Sequence, residues 1–176
     1  MEIEPDTKDW TWVLERPCPD CGLAAGEVDP ADVGARVLAD LPRWEAVLTR
    51  AEARERPAPG TWSPTEYACH VRDVFILFEE RIRLMLEEDD PLFANWDQDE
   101  TALADDYAAQ LPSEVSTQLV VAGRAIAATF DAVPADAWDR VGRRSNGSVF
   151  TVATLAQYFL HDVVHHLHDV AHELRT

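Results

Sequence analysis

Apolar residues at Val33, Val37, Leu41, Trp44, Val47 and Leu48 recur at spacings of three and four, which predicts an amphipathic helix between Asp29 and about Ala53. Asp29 is a suitable N-cap and Pro30 suits the first turn, where its missing N–H costs nothing. The stretch "ERPAPGTW" ends the pattern, because its prolines and glycine do not continue a helix. A second helix is predicted over "SPTEYACHVRDVFILFEERIRLMLEEDD", where Ser63 and Glu66 have the spacing of a capping box around Pro64. Its apolar positions persist from Val71 to Leu86, until the acidic run Glu87 to Asp90 and Pro91 stop it.

The next segment, "LFANWDQDETALADDYAAQLP", is polar and mixed, and predicts at most a short helix around residues 102–110. It is long enough to be a crossover. A third long helix is expected from Ser113 to about Ala132, with Leu119, Val120, Ala125, Ile126 and Phe130 as buried candidates, and a fourth from Thr151 nearly to the end. No pair of strands and no internal repeat is predicted. Four long helices with unequal connections make an all-α four-helix bundle the expected fold, and the long crossover implies a topology other than simple up-down-up-down. The division expected is an N-terminal arm over residues 1–28, carrying "CPDCG", and the bundle over residues 29–176.

Composition narrows the partners. The chain has 176 residues and a formal charge of −18, from 33 acidic and 15 basic side chains, so a phosphate backbone is repelled and nucleic acid is not an expected partner. Lys is nearly absent while Ala, Val, Asp and Glu are abundant, a bias associated with GC-rich bacterial genomes. No run of about 18 apolar residues offers a membrane span. The first residues carry no secretory pattern, so a cytoplasmic protein is expected. An odd count of three cysteines argues against a disulfide framework and leaves metal or thiol chemistry open.

The chemistry concentrates in "HDVVHHLHDV", which holds four of the six histidines. Residues four or three apart lie about 40° or about 60° apart on a helix, so His161 with His165, His165 with His168, or His168 with His172 could each reach one metal ion. His166 projects about 100° from His165. A third ligand would come from His70, the only histidine outside the predicted final helix, on the second helix. Three imidazoles leave a position open, as catalytic zinc sites do.

Two elements also resemble a family. "TWSPTEYACHVRD" resembles the W-S-x-x-E-x-x-x-H-x-x-D element of the DinB/YfiT-like superfamily, and "YFLHDVVHHLHDV" resembles its H-x-x-x-H-H element. That superfamily is related to the N-terminal domain of mycothiol-dependent maleylpyruvate isomerases. The resemblance covers roughly Asp29 to His172, and its two elements lie about ninety residues apart. It implies a four-helix bundle holding a divalent metal, with zinc expected and nickel or iron as alternatives. Carried over position by position, the ligands it implies are His70, His161 and His165. "CPDCG", His168 and His172 lie outside its motifs.

The remaining candidates have plainer readings. Cys18 and Cys21 have the C-x-x-C spacing of half a zinc ribbon, with no second C-x-x-C to complete it, and a structural role is favoured over a redox one. Asp73, one turn after His70, could orient an imidazole, whereas Glu66 is already explained by the capping box. Asp162 and Asp169 are expected to face solvent. Among the tryptophans, Trp62 is expected to fix the start of the second helix, and Trp96 to line a pocket.

Two functions follow. The first is a metal-dependent enzyme that activates water or a low-molecular-weight thiol, as a hydrolase or thiol S-transferase acting on a small-molecule substrate. The second is a non-catalytic metal-binding bundle with a structural or stress-sensing role, in which a homodimer is conceivable. An open coordination position separates the two.

Overall fold

The computed structural model describes residues 9–172, without the side chain of His172. Five α-helices, α1 (Val33–Leu48), α2 (Pro64–Glu87), α3 (Gln98–Ala104), α4 (Pro112–Asp131) and α5 (Val152–His172), make up most of it. The four long ones form the bundle, and α3 occupies the crossover between α2 and α4. The expected first helix starts with a single 3-10 turn over Pro30–Asp32, capped by the Asp29 side chain, and ends at Leu48 rather than Ala53.

α4 packs against both α1 and α2, and α5 packs against both from the other side. Helices consecutive in the chain, α1 and α2, therefore lie across the bundle from one another with few contacts. This arrangement differs from an up-down-up-down bundle, in which successive helices are neighbours. At the centre, Phe159 of α5 meets Phe75, Phe78 and Phe130 at centroid distances of 5.9, 5.4 and 5.4 Å. Trp44, Ile82, Leu119, Ile126 and Leu155 are fully buried around it. Burying each such side chain contributes about 1.5–3 kcal/mol before ordering costs, so helical periodicity suffices to place the core.

The N-terminus of α2 forms as its sequence demands. The Ser63 side chain accepts from the Glu66 amide at 3.3 Å, and the Glu66 carboxylate accepts from the Ser63 amide at 2.8 Å. Arg56 pairs with the same carboxylate, which is almost fully buried. Two turns later α2 presents His70 to the interior, fully buried.

The chain also forms a small sheet that the sequence reading did not include. β1 (Leu92–Phe93) pairs parallel with β2 (Val141–Arg144), which pairs antiparallel with β3 (Val149–Thr151) in the register Gly142 to Phe150. Asn146-Gly147 forms the hairpin turn, with Gly147 at φ +97°. An Asn-Gly dipeptide between short apolar runs is the signal that could have revealed it. These strands are too short to show an alternating pattern of their own. Among the described residues no helix is long and apolar enough to cross a membrane.

Candidate metal centres

α5 begins at the end of the hairpin and carries "HDVVHH" along the side that faces α2 and the N-terminal arm. This run contains two interleaved pairs at i, i+4, His161 with His165 and Asp162 with His166, pointing in different directions. Each pair meets a different partner.

Asp162 and His166 meet His70. One ligand atom from each of these residues lies within 4.8 Å of the others. His70 Nε2 is 3.3 Å from Asp162 Oδ1, and His166 Nε2 is 3.8 Å from the same oxygen. Donor atoms around one tetrahedral ion, at metal–ligand lengths near 2.1 Å, stand about 3.4 Å apart, so these spacings fit a shared metal. The His70 ring lies between Trp62 at 5.5 Å and Trp96 at 5.4 Å, stacked on the latter, and the His166 ring meets it edge-on at 4.8 Å. His166 Nδ1 lies 3.2 Å from Asp169 Oδ2, so donation from that nitrogen leaves Nε2 turned toward His70 and Asp162.

His161 and His165 meet the arm instead. Their ligand atoms and the sulfurs of Cys18 and Cys21 all lie within 4.8 Å of one another, with Cys18 Sγ 3.6 Å from His165 Nδ1. The three histidines implied by the family resemblance are therefore divided: His70 stands in one group, and His161 and His165 in the other.

The electrostatics favour neutral imidazoles and an ionised carboxylate. Burial lowers His70 below its ordinary value, although Asp162 opposes the shift. Burial, aided by His165, takes His161 down to about 4. For Asp162 burial works upward, but the His70 hydrogen bond and the nearby imidazoles outweigh it and hold the carboxyl at about 2. Both states are those a metal requires of its ligands. The Cys21 thiol, by contrast, is pushed up to about 11 by burial.

A pocket of about 660 Å³ opens beside both groups, with Asp162 and His166 of the first and His161 and His165 of the second in its wall. Trp10, Trp96, Tyr67 and Tyr158 supply much of the remaining wall, together with Arg81 and Arg144. Arg81 is almost fully buried, and burial lowers its guanidinium to about 10. Nε of each arginine is buried without a hydrogen-bond partner. Trp96 thus lines the pocket as its place in the crossover suggested, and Trp62 packs at the start of α2 against Tyr67.

Two expectations are corrected. Asp162 is only partly exposed, in the pocket wall, and bonds His70. Asp169 likewise is tied to His166 and lies 3.8 Å from His165 Nε2. In so acidic a chain an aspartate beside a histidine reads as a solvated surface charge, yet the i, i+4 relation of Asp162 to His166 could have revealed the pair. Asp73 bonds Arg72 and Tyr107 rather than His70. Of the alternative histidine pairs, His168 with His172 involves a side chain outside the described residues.

Comparison with known proteins fits this architecture. YfiT from Bacillus subtilis, described as "a probable metal-dependent hydrolase with an unusual four-helix bundle topology", superposes with a TM-score of 0.68 at 16% sequence identity, covering 98% of this chain and 94% of YfiT. No curated protein matches the sequence. The family model of the DinB superfamily matches residues 14–170, nearly the whole bundle and part of the arm, and the chain belongs to that superfamily.

Proposed function

We propose that the protein is a divalent-metal-dependent hydrolase whose metal is held by His70, Asp162 and His166 and whose substrate is a small anionic molecule. The observation that carries this reading is the convergence of two imidazoles and one carboxylate at a 660 Å³ pocket, with Asp162 and His166 in its wall and His70 fully buried behind them. Two histidines and a carboxylate form a known catalytic donor set, which leaves coordination positions free, whereas a structural site fills all four. A divalent ion in such a set supplies Lewis-acid charge, which makes an adjacent water or thiol more acidic and polarises a carbonyl or phosphoryl oxygen. Zinc, nickel and iron(II) all suit these donors.

The chain's own groups divide the remaining work. Asp169 accepts the proton of His166 Nδ1 and so fixes both tautomer and ring orientation. Trp62 and Trp96 clamp the His70 ring and keep water from it. Arg81 and Arg144 offer buried N–H groups without partners, suited to a carboxylate or phosphate on the substrate. Placed in the pocket wall, they hold that anion within reach of the metal ligands. The thiol S-transfer expected from the resemblance would use the same centre with a thiol in place of water. The purely structural reading is disfavoured by the pocket, since a metal held only for stability has no need of one.

Metal-loaded protein offered a panel of small carboxylate-bearing esters and amides tests the reading. Hydrolysis is expected, and it should disappear in Asp162→Asn and His166→Ala without loss of helicity. Turnover that persists in both variants, or that requires an added thiol, contradicts it.

A further inference from the structure

The pocket chemistry makes no use of Cys18 and Cys21, although the arm brings both to a face of the same helix about 100° round from Asp162 and His166. We propose that Cys18, Cys21, His161 and His165 form a second, closed metal centre that takes zinc and clips the N-terminal arm to α5.

Four donor atoms lie within 4.8 Å of one another, two sulfurs and two imidazole nitrogens. Around a tetrahedral zinc, with Zn–S near 2.3 Å and Zn–N near 2.05 Å, a sulfur and a nitrogen stand about 3.6 Å apart. The Cys18 Sγ to His165 Nδ1 separation is 3.6 Å. His161 Nε2 is buried with no hydrogen-bond partner, which is costly unless something takes its lone pair or proton. Both cysteines are free thiols rather than a disulfide.

Local sequence supports the same geometry. In "CPDCG" the Cys18 amide donates to Leu23 O and the Gly22 amide donates to Cys18 O, both at 2.9 Å, and Gly22 takes φ +77°, a region an L side chain avoids. This turn aims both sulfurs to one side, and the C-x2-C spacing joined to H-x3-H is that of Cys2His2 zinc sites. Soft thiolates with imidazoles select zinc over the harder divalent ions.

Four protein ligands fill a tetrahedron and leave no position for substrate. The centre therefore acts on structure. It would reinforce the bonds from Gln157 Nε2 to the carbonyls of Gly26 and Val28, which already tie the arm to α5. Trp10 precedes the cysteines and packs on the His161 and His165 rings at 5.6 and 5.5 Å while lining the pocket. The clip thus holds one wall of the pocket in place.

Cobalt substitution of the full chain tests the proposal. With Co2+ as the only metal, the protein is expected to bind about two ions and to show the intense near-ultraviolet charge-transfer absorption of thiolate ligation. The double variant Asp162→Asn/His166→Ala should bind about one ion and keep that absorption, because its remaining centre contains both sulfurs. Cys18→Ser/Cys21→Ser should lose the absorption and one ion. If the cysteine variant does not fold, the spectra of the wild type and of the Asp162→Asn/His166→Ala variant decide. Absence of the thiolate absorption in the wild type, its loss on removal of Asp162 and His166, or a Cys18–Cys21 disulfide in protein purified without oxidant overturns the proposal.

Discussion

Asp169 Oδ2 lies 3.2 Å from His166 Nδ1, and its other oxygen lies 3.8 Å from His165 Nε2. One carboxylate therefore bonds a histidine of one candidate centre and stands beside a histidine of the other. Removing its charge while keeping its shape, as in Asp169→Asn, should weaken binding of the pocket metal about 10- to 100-fold, the usual effect of losing a carboxylate behind a ligating histidine. Metal titration of the variant measures this. An affinity equal to that of the wild type would show that His166 needs no orienting partner.

Stability of the chelator-treated protein should rise with pH between about 4 and 6.5. His70 and His161 are buried and lowered from their ordinary value of 6.5, His161 to about 4, so in this window the unfolded chain binds more protons than the folded one. Their contribution is present above pH 6.5 and is lost as the pH falls toward the folded values. Asp162 acts in a lower window: held at about 2 against an ordinary 3.8, it stabilises above the latter and loses this only in stronger acid. Urea unfolding midpoints at pH 5 and pH 7 should differ, the higher lying at pH 7. Equal midpoints would contradict burial of neutral imidazoles.

The start of α2 offers a separate stability test. Ser63→Ala removes one half of the capping box and should cost about 1 kcal/mol. Arg56→Ala leaves the buried Glu66 carboxylate with only the Ser63 amide and should cost more, about 1–3 kcal/mol. Denaturant unfolding ranks the two variants, and the reverse order would show that the arginine is incidental to the start of α2.

Arg81→Ala and Arg144→Ala should each raise KM for an anionic substrate about 10- to 100-fold, as loss of a charge-assisted hydrogen bond does. The pocket metal should stay bound, since neither arginine belongs to its donor set. An unchanged KM in both variants would mean that the substrate's charge is read elsewhere.

The bundle was legible because its signals are local. Ser63, Pro64 and Glu66 specify the start of α2 within four residues, and helical periodicity places Phe75, Ile126 and Phe159 in the core. The hairpin was missed because its strands are only three and four residues long. The site was legible in part. That α5 carries candidate ligands and that His70 faces it could be read from spacing and resemblance, but the division of these residues into two groups could not. His161 and Asp162 are neighbours, and which of them meets His70 depends on the rotation of α5 about its axis, set by packing against α1 and α2. The docking of Cys18 onto His165 spans 147 residues, and helical spacing carries no information about so distant a contact.

The central claim is that the metal of the pocket is bound by His70, Asp162 and His166. A crystal structure of the zinc-loaded protein, with anomalous difference density measured on both sides of the zinc absorption edge, tests it most directly. A peak within about 2.2 Å of donor atoms of His70, Asp162 and His166 is the expected result. A single peak ligated by His70, His161 and His165 together would contradict it.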